Sequence, residues 1–193
     1  GLNGELFSEE IVLSKIKKKK YLLKEFFLPF PRLDIRLGWA ATANSIGAHH
    51  LALIQDKVVV ISGEGRTLYF KKNNILKSKL NQTEIPNNIK NILKKNNSKL
   101  IGIRDLFIED GEIYISVIFK NLKGLTINAY KADLNFEELN FELFFKTDEY
   151  WDHYNVFSGG RFSTYKDNKV LFTIGFSAKK KVAQQLDSLL GKI

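Results

Sequence analysis

The sequence predicts an all-β chain built from repeats, and three observations carry that prediction. Three short hairpins share one pattern: a leading polar residue, a turn carrying an aspartate, and a β-rich second strand. Their turn aspartates, Asp56, Asp110 and Asp167, stand 54 and 57 residues apart. The middle repeat then reads as four strands in a row, Arg104 to Ile108, Glu112 to Phe119, Leu125 to Ala132 and Phe141 to Phe145. A period of roughly fifty residues with four strands each is the mark of propeller blades. A solenoid repeats over shorter lengths, and a sandwich does not repeat its turn chemistry. Chance likeness of three hairpins is the competing explanation. The expectation is an incomplete β-propeller, about three four-stranded blades plus part of another, in a single domain over residues 1–193. Its repeats run roughly 48–100, 101–156 and 157–193, and residues 1–47 are the end of a preceding blade and a connector.

Taken in order, Glu10 to Leu13 is a short apolar segment, followed by the lysine run 17–20 and the strand-like run Tyr21 to Leu28, which stops at Pro29 and Pro31. The lysines lack a helical apolar stripe and read as an exposed edge or turn, where lysine discourages edge pairing. Residues 36–47 form a polar and aromatic connector. The first hairpin is His50 to Ile54, a Gln55-Asp56 turn and Lys57 to Ser62, with a third strand at Thr67 to Phe70. Residues 81–99 are rich in Asn and Lys, with a turn or two of helix over 87–95 after Pro86. The second hairpin turns at Asp110-Gly111, a strong hairpin signal between alternating apolar runs. The third is Arg161 to Tyr165, turn Asp167-Asn168, then Lys169 to Ile174. A short helix is expected around Val182 to Leu189, and Gly191 to Ile193 reads as the start of a further strand.

Composition narrows the function classes. The chain is 44% hydrophobic and 12% aromatic with 3 Pro, which predicts a packed core and not a disordered segment. There is no Cys, which removes thiol chemistry, disulfides and Cys-based zinc sites. There is no Met either, so a chain opening on Gly1 reads as a processed or internal piece of a longer protein. The longest apolar runs are too short to span a bilayer, so no membrane span is expected. The net charge is +9, but its lysines are scattered over several loops beside Asn. A nucleic-acid face would gather Arg and stacking aromatics on one side, so no nucleic-acid partner is assigned.

Candidate site residues follow from the repeat. Aligned on the turn aspartates, His50, Arg104 and Arg161 occupy one position. In a propeller they would start the innermost strands around one mouth of the channel, where Arg offers a planar fork to carboxylates. The other reading is that they pair with local acids such as Asp105 and hold the repeats together. No metal is assigned. The vicinal pair His49-His50 would point to opposite faces of a strand, and the third histidine, His153, is far along the chain.

Around the third hairpin the sequence resembles the glucose/sorbosone dehydrogenase family. The matching residues are Ser158-Gly-Gly-Arg161, Lys166 to Gly175, Ala183-Gln184 and Leu189-Leu-Gly-Lys-Ile193, preceded by Gly111 to Ser116 and Phe119-Lys-Asn121. The resemblance covers residues 102–193. It implies a six-bladed propeller that is periplasmic or exported, uses pyrroloquinoline quinone (PQQ) and calcium, and oxidises or binds a sugar or polyol at the channel mouth. It adds Gln184 to the ligand-binding candidates and places most cofactor and calcium ligands in later blades. The family's catalytic base, a histidine, falls on Phe157, and the acid that supports it falls on Phe176. A phenyl ring cannot take a hydroxyl proton. His153, beside Asp152, is the substitute base if its loop folds over the channel; otherwise that loop is a surface segment with aromatic anchors. The alternative function is a non-catalytic propeller module that binds a ligand or a protein.

Overall fold

The structure, a computed structural model, describes residues 11–16, 19–23, 49–76, 81–151, 159–166, 169–175 and 184–192. It is all-β with antiparallel pairing throughout its sheets. A first hairpin pairs β1 (Ile11–Ile16) with β2 (Lys19–Leu23). A four-stranded sheet follows in chain order: β3 (His49–Ile54), β4 (Lys57–Ser62), β5 (Thr67–Lys71) and β6 (Thr83–Ile85). A 3₁₀ turn (Lys72–Leu76) precedes β6, and a short helix α1 (Ile89–Lys95) follows it. The second four-stranded sheet is β7 (Lys99–Glu109), β8 (Glu112–Asn121), β9 (Gly124–Asp133) and β10 (Glu142–Lys146). The last hairpin is β11 (Gly159–Tyr165) and β12 (Lys169–Ile174).

The three expected hairpins are all present, and the first two turns explain themselves. Asp110 and Gly111 both have positive φ, 48° and 81°, which is the type I′ geometry that matches strand twist. In the first hairpin Gln55 takes the same place with φ 52°. Other details differ from expectation. β7 starts at Lys99, five residues before Arg104. β6 was not foreseen, because its three residues end at once in Pro86. The helix expected around Val182 to Leu189 is not seen in its described part. Residues 184–189 form a 3₁₀ end and turns, because the Glu149 carboxylate holds them: Ser188 Oγ donates to it at 2.9 Å and the Leu189 N–H at 3.0 Å. The strand expected at Gly191 begins as a bridge, in which Lys192 pairs with Ile174. Residues 24–28, the 36–47 connector, the Asp167-Asn168 turn and Phe176 lie outside the described residues.

The central strands of the second sheet are buried on both faces, which is why β8 and β9 read as nearly continuous apolar runs. On one face Ile113, Ile115, Val117 and Phe119 of β8 close against Val59 and Ile61 of β4 and against Ile89 and Leu93 of α1. On the other face Ile118, Leu125 and Ile127 meet Trp151, Ile174 and Leu190. Beside them Tyr114 and Ala129 meet Phe162. Phe162 stacks on Phe172 with centroids 4.8 Å apart and on Phe107 at 6.1 Å. Each fully buried aliphatic or aromatic side chain contributes about 1.5–3 kcal/mol relative to exposure. The two four-stranded sheets and the last hairpin are therefore packed in chain order, with β3 against β7 and β11 against β7 and β8.

Candidate functional site

The site is built where β3, β7 and β11 meet. Pairs counted outward from each turn set its register. In the first hairpin Ile54 pairs with Lys57 next to the turn, and His50 pairs with Ile61 four steps on. In the second, Glu109 pairs with Glu112, and four steps on Asp105 pairs with Ser116. In the third, Tyr165 pairs with Lys169, and Arg161, four residues back from Tyr165, falls in the register shift between Gly159 and Phe162. There the Arg161 N–H donates to Thr173 Oγ1 at 3.0 Å. So the equivalent residues are His50, Asp105 and Arg161. Arg104 is the extra residue of a bulge between Ile103 and Asp105. Alignment on the turn aspartates hides this, because the turn opens on Gln55 in one repeat and on Asp110 in the next.

The fourth-step residues reach toward the next repeat. His50 Nε2 donates to the Ile103 carbonyl of β7 at 3.0 Å. Asp105 accepts the Phe162 N–H of β11 at 2.8 Å through one oxygen, and an Arg161 guanidinium N–H at 2.9 Å through the other. The Arg161 side chain is 65% exposed, whereas Asp105 is nearly covered. Ser116, fully buried on β8, donates to the Gly160 carbonyl at 2.6 Å.

Gly159 and Gly160 make this approach possible. Both take positive φ, 67° and 86°. A Cβ on Gly160 would lie 2.7 Å from Ile127 Cδ1 and 3.1 Å from both Arg104 Cβ and Ser116 Oγ. The Gly-Gly-Arg string thus has a packing reason of its own: β11 must come this close to the second sheet.

Electrostatically the cluster holds two guanidinium groups, one carboxylate and one imidazole. Burial holds the Arg104 guanidinium below the usual arginine range, and the charge of Arg161 lowers it further. Burial likewise pushes His50 below its ordinary 6.5. The bond to Ile103 and the charge of Asp105 oppose that shift, and Arg161 and Arg104 add to it. Two guanidinium groups this near one another favour an anionic neighbour, and Arg104 is the half-buried one of the two.

Of the residues expected in the site, His50, Arg104 and Arg161 come together here, with Asp105 between them. Gln184 is exposed at the end of a 3₁₀ turn. His153 and Phe157 lie outside the described residues. Ser116 and the Phe162 backbone were not foreseen as members. Ser116 could have been found as the one small polar residue in an otherwise apolar β8 core. Among the described residues no group of three or more His, Asp or Glu is placed to hold a metal ion. Neither a protein-family model, nor a curated protein, nor a solved structure matches this chain.

Proposed function

We propose that this chain is an incomplete β-propeller acting as a non-catalytic binding module for a small organic anion. The propeller reading is supported by two four-stranded antiparallel sheets in chain order, packed with a third hairpin. It is also supported by the fourth-step side chain that each of the first two repeats passes to the backbone of the next. The observation that carries the anion reading is the proximity of the Arg104 and Arg161 guanidinium groups, close enough for the charge of Arg161 to lower Arg104, with Arg161 largely in solvent.

Calorimetric titration of the chain with gluconate and with glucose, at low and at high salt, tests it. The expected result is gluconate binding that weakens with salt and is lost in Arg104→Gln, with glucose inert. No gluconate heat, or equal binding by Arg104→Gln, overturns it.

The second reading is a quinoprotein-type dehydrogenase acting on a sugar or polyol, exported, with PQQ and calcium. The bridge of Lys192 to Ile174 favours keeping it, since the resemblance puts a Gly-Lys strand at that place. Among the described residues no cluster is placed to hold calcium, and Gly159-Gly160 have a packing role of their own. A rise in Tm with PQQ plus calcium, on a protein that includes the later blades, would favour it. No such rise would count against it.

A further inference from the structure

A groove of about 480 Å³ opens between α1 and the β8–β9–β10 part of the second sheet. It lies on the α1-facing side of that sheet, whereas Asp105 faces β11, so it is separate from the cluster above. Its size is that of a small-molecule pocket. Its walls are aromatic: Phe119 from β8, Tyr130 from β9, then Phe141 and Tyr150. Lys95 at the end of α1 and Lys146 at the end of β10 also line it, and no carboxylate does among the described residues. Asp148, which pairs with Lys146 at 3.0 Å, lies outside the lining.

One wall residue is out of balance with its surroundings. Thr126 is 1% exposed, and its hydroxyl finds no hydrogen-bond partner among the described residues. Its neighbours on the same face of β9 are satisfied. Asn128 accepts the Thr147 N–H at 3.2 Å, and its side chain is also hydrogen-bonded to Tyr130. A buried hydroxyl without a partner costs about 1–3 kcal/mol, and each such group asks for an explanation. A ligand acceptor in the groove supplies one.

We propose that this groove binds a small ring-bearing monocarboxylate. The ring lies among the aromatic walls, the Thr126 hydroxyl donates to an acceptor atom, and the carboxylate is drawn to the Lys95 and Lys146 side. The apolar walls alone would accept any ring. The two lysines, without a lining acid, select the anion over its neutral counterpart. Indole-3-acetate and 1-naphthoate are suitable probes, with their primary amides as uncharged controls.

The test is titration of the isotope-labelled chain followed by amide NMR, with Tm read on the same samples. Saturable shifts are expected at the amides of Thr126, Tyr130 and Tyr150 with the acids. Thr126→Val should weaken the acids by about 3–10-fold, the value of one hydrogen bond, while its Tm stays level or rises because no internal bond is lost. Lys95→Gln with Lys146→Gln should weaken the acids by about 3–10-fold and leave the amides unaffected. Three results overturn the proposal: no saturable shift with either acid, equal affinity for acid and amide, or a Thr126→Val variant that melts lower and binds as before. The last would mean that the hydroxyl is bonded within the fold.

Discussion

Asp105 and Arg161 form an ion pair, but the two halves contribute unequally. Arg161 is largely in solvent, where such pairs are worth about 1 kcal/mol or less. Asp105 also holds the buried Phe162 N–H, and removing it strands that donor. Asp105→Ala is therefore expected to cost about 1.5–3 kcal/mol in urea unfolding, and Arg161→Ala about 1 kcal/mol or less. Equal losses would show that the ion pair, and not the backbone bond, ties the repeats. His50 sets a pH dependence. Its folded pKa is below 6.5, so the unfolded chain takes up the proton first. Stability present above that value is lost as pH falls through 6.5 toward the folded pKa. Urea midpoints measured from about pH 7.5 down to pH 5 should fall in the parent and flatten in His50→Gln. At this scale the sequence was partly readable. The three basic residues were visible as a set, but not the register that makes Asp105 the equivalent of His50. Two neighbouring turn residues could open the first hairpin, and the bulge at Arg104 leaves no mark in the residue pattern.

At the level of elements, strands with regular apolar patterns and marked turns were legible to within a few residues. β4 and β12 have their expected bounds, and the Asp110-Gly111 turn adopts the conformation its residues demand. β6 was not legible, since three residues cannot show a period and its stability comes from pairing with β5. The groove walls were illegible for another reason: they come from α1, β8, β9 and the β10 region, which only the fold brings together. The hairpins offer a matched pair of substitutions. Gly111 has φ 81° and open space where a Cβ would go, so Gly111→Ala pays backbone strain alone, about 1 kcal/mol. Gly160 has φ 86° and three neighbours in the way, so Gly160→Ala adds overpacking and should lose about 2–4 kcal/mol. Denaturant midpoints of the two variants check this. Similar losses would mean that β11 can back away from the second sheet at little cost.

Across the whole molecule, burial is graded. β8 and β9 are covered on both faces, while β3 alternates between exposed and half-buried residues with Leu51 and Leu53 in solvent. Hydrogen exchange should be slowest at the β8 and β9 amides and orders of magnitude faster in β3. Uniform exchange would mean that the described repeats open only as one unit. The hairpins were legible from the sequence because each joins an apolar run to a β-rich second strand through a short polar turn. How the repeats touch was not, since contacts such as Ser116 to Gly160 join residues far apart in the chain. That contact has a consequence for how sequences of this kind can drift. Position 160 lies within contact distance of three strands at once, and substitution there is blocked on every side. A Gly-Gly-Arg string held by such crowding is kept by packing, whatever chemistry stands beside it. The string in this chain therefore marks where two sheets are pressed together and is silent on turnover.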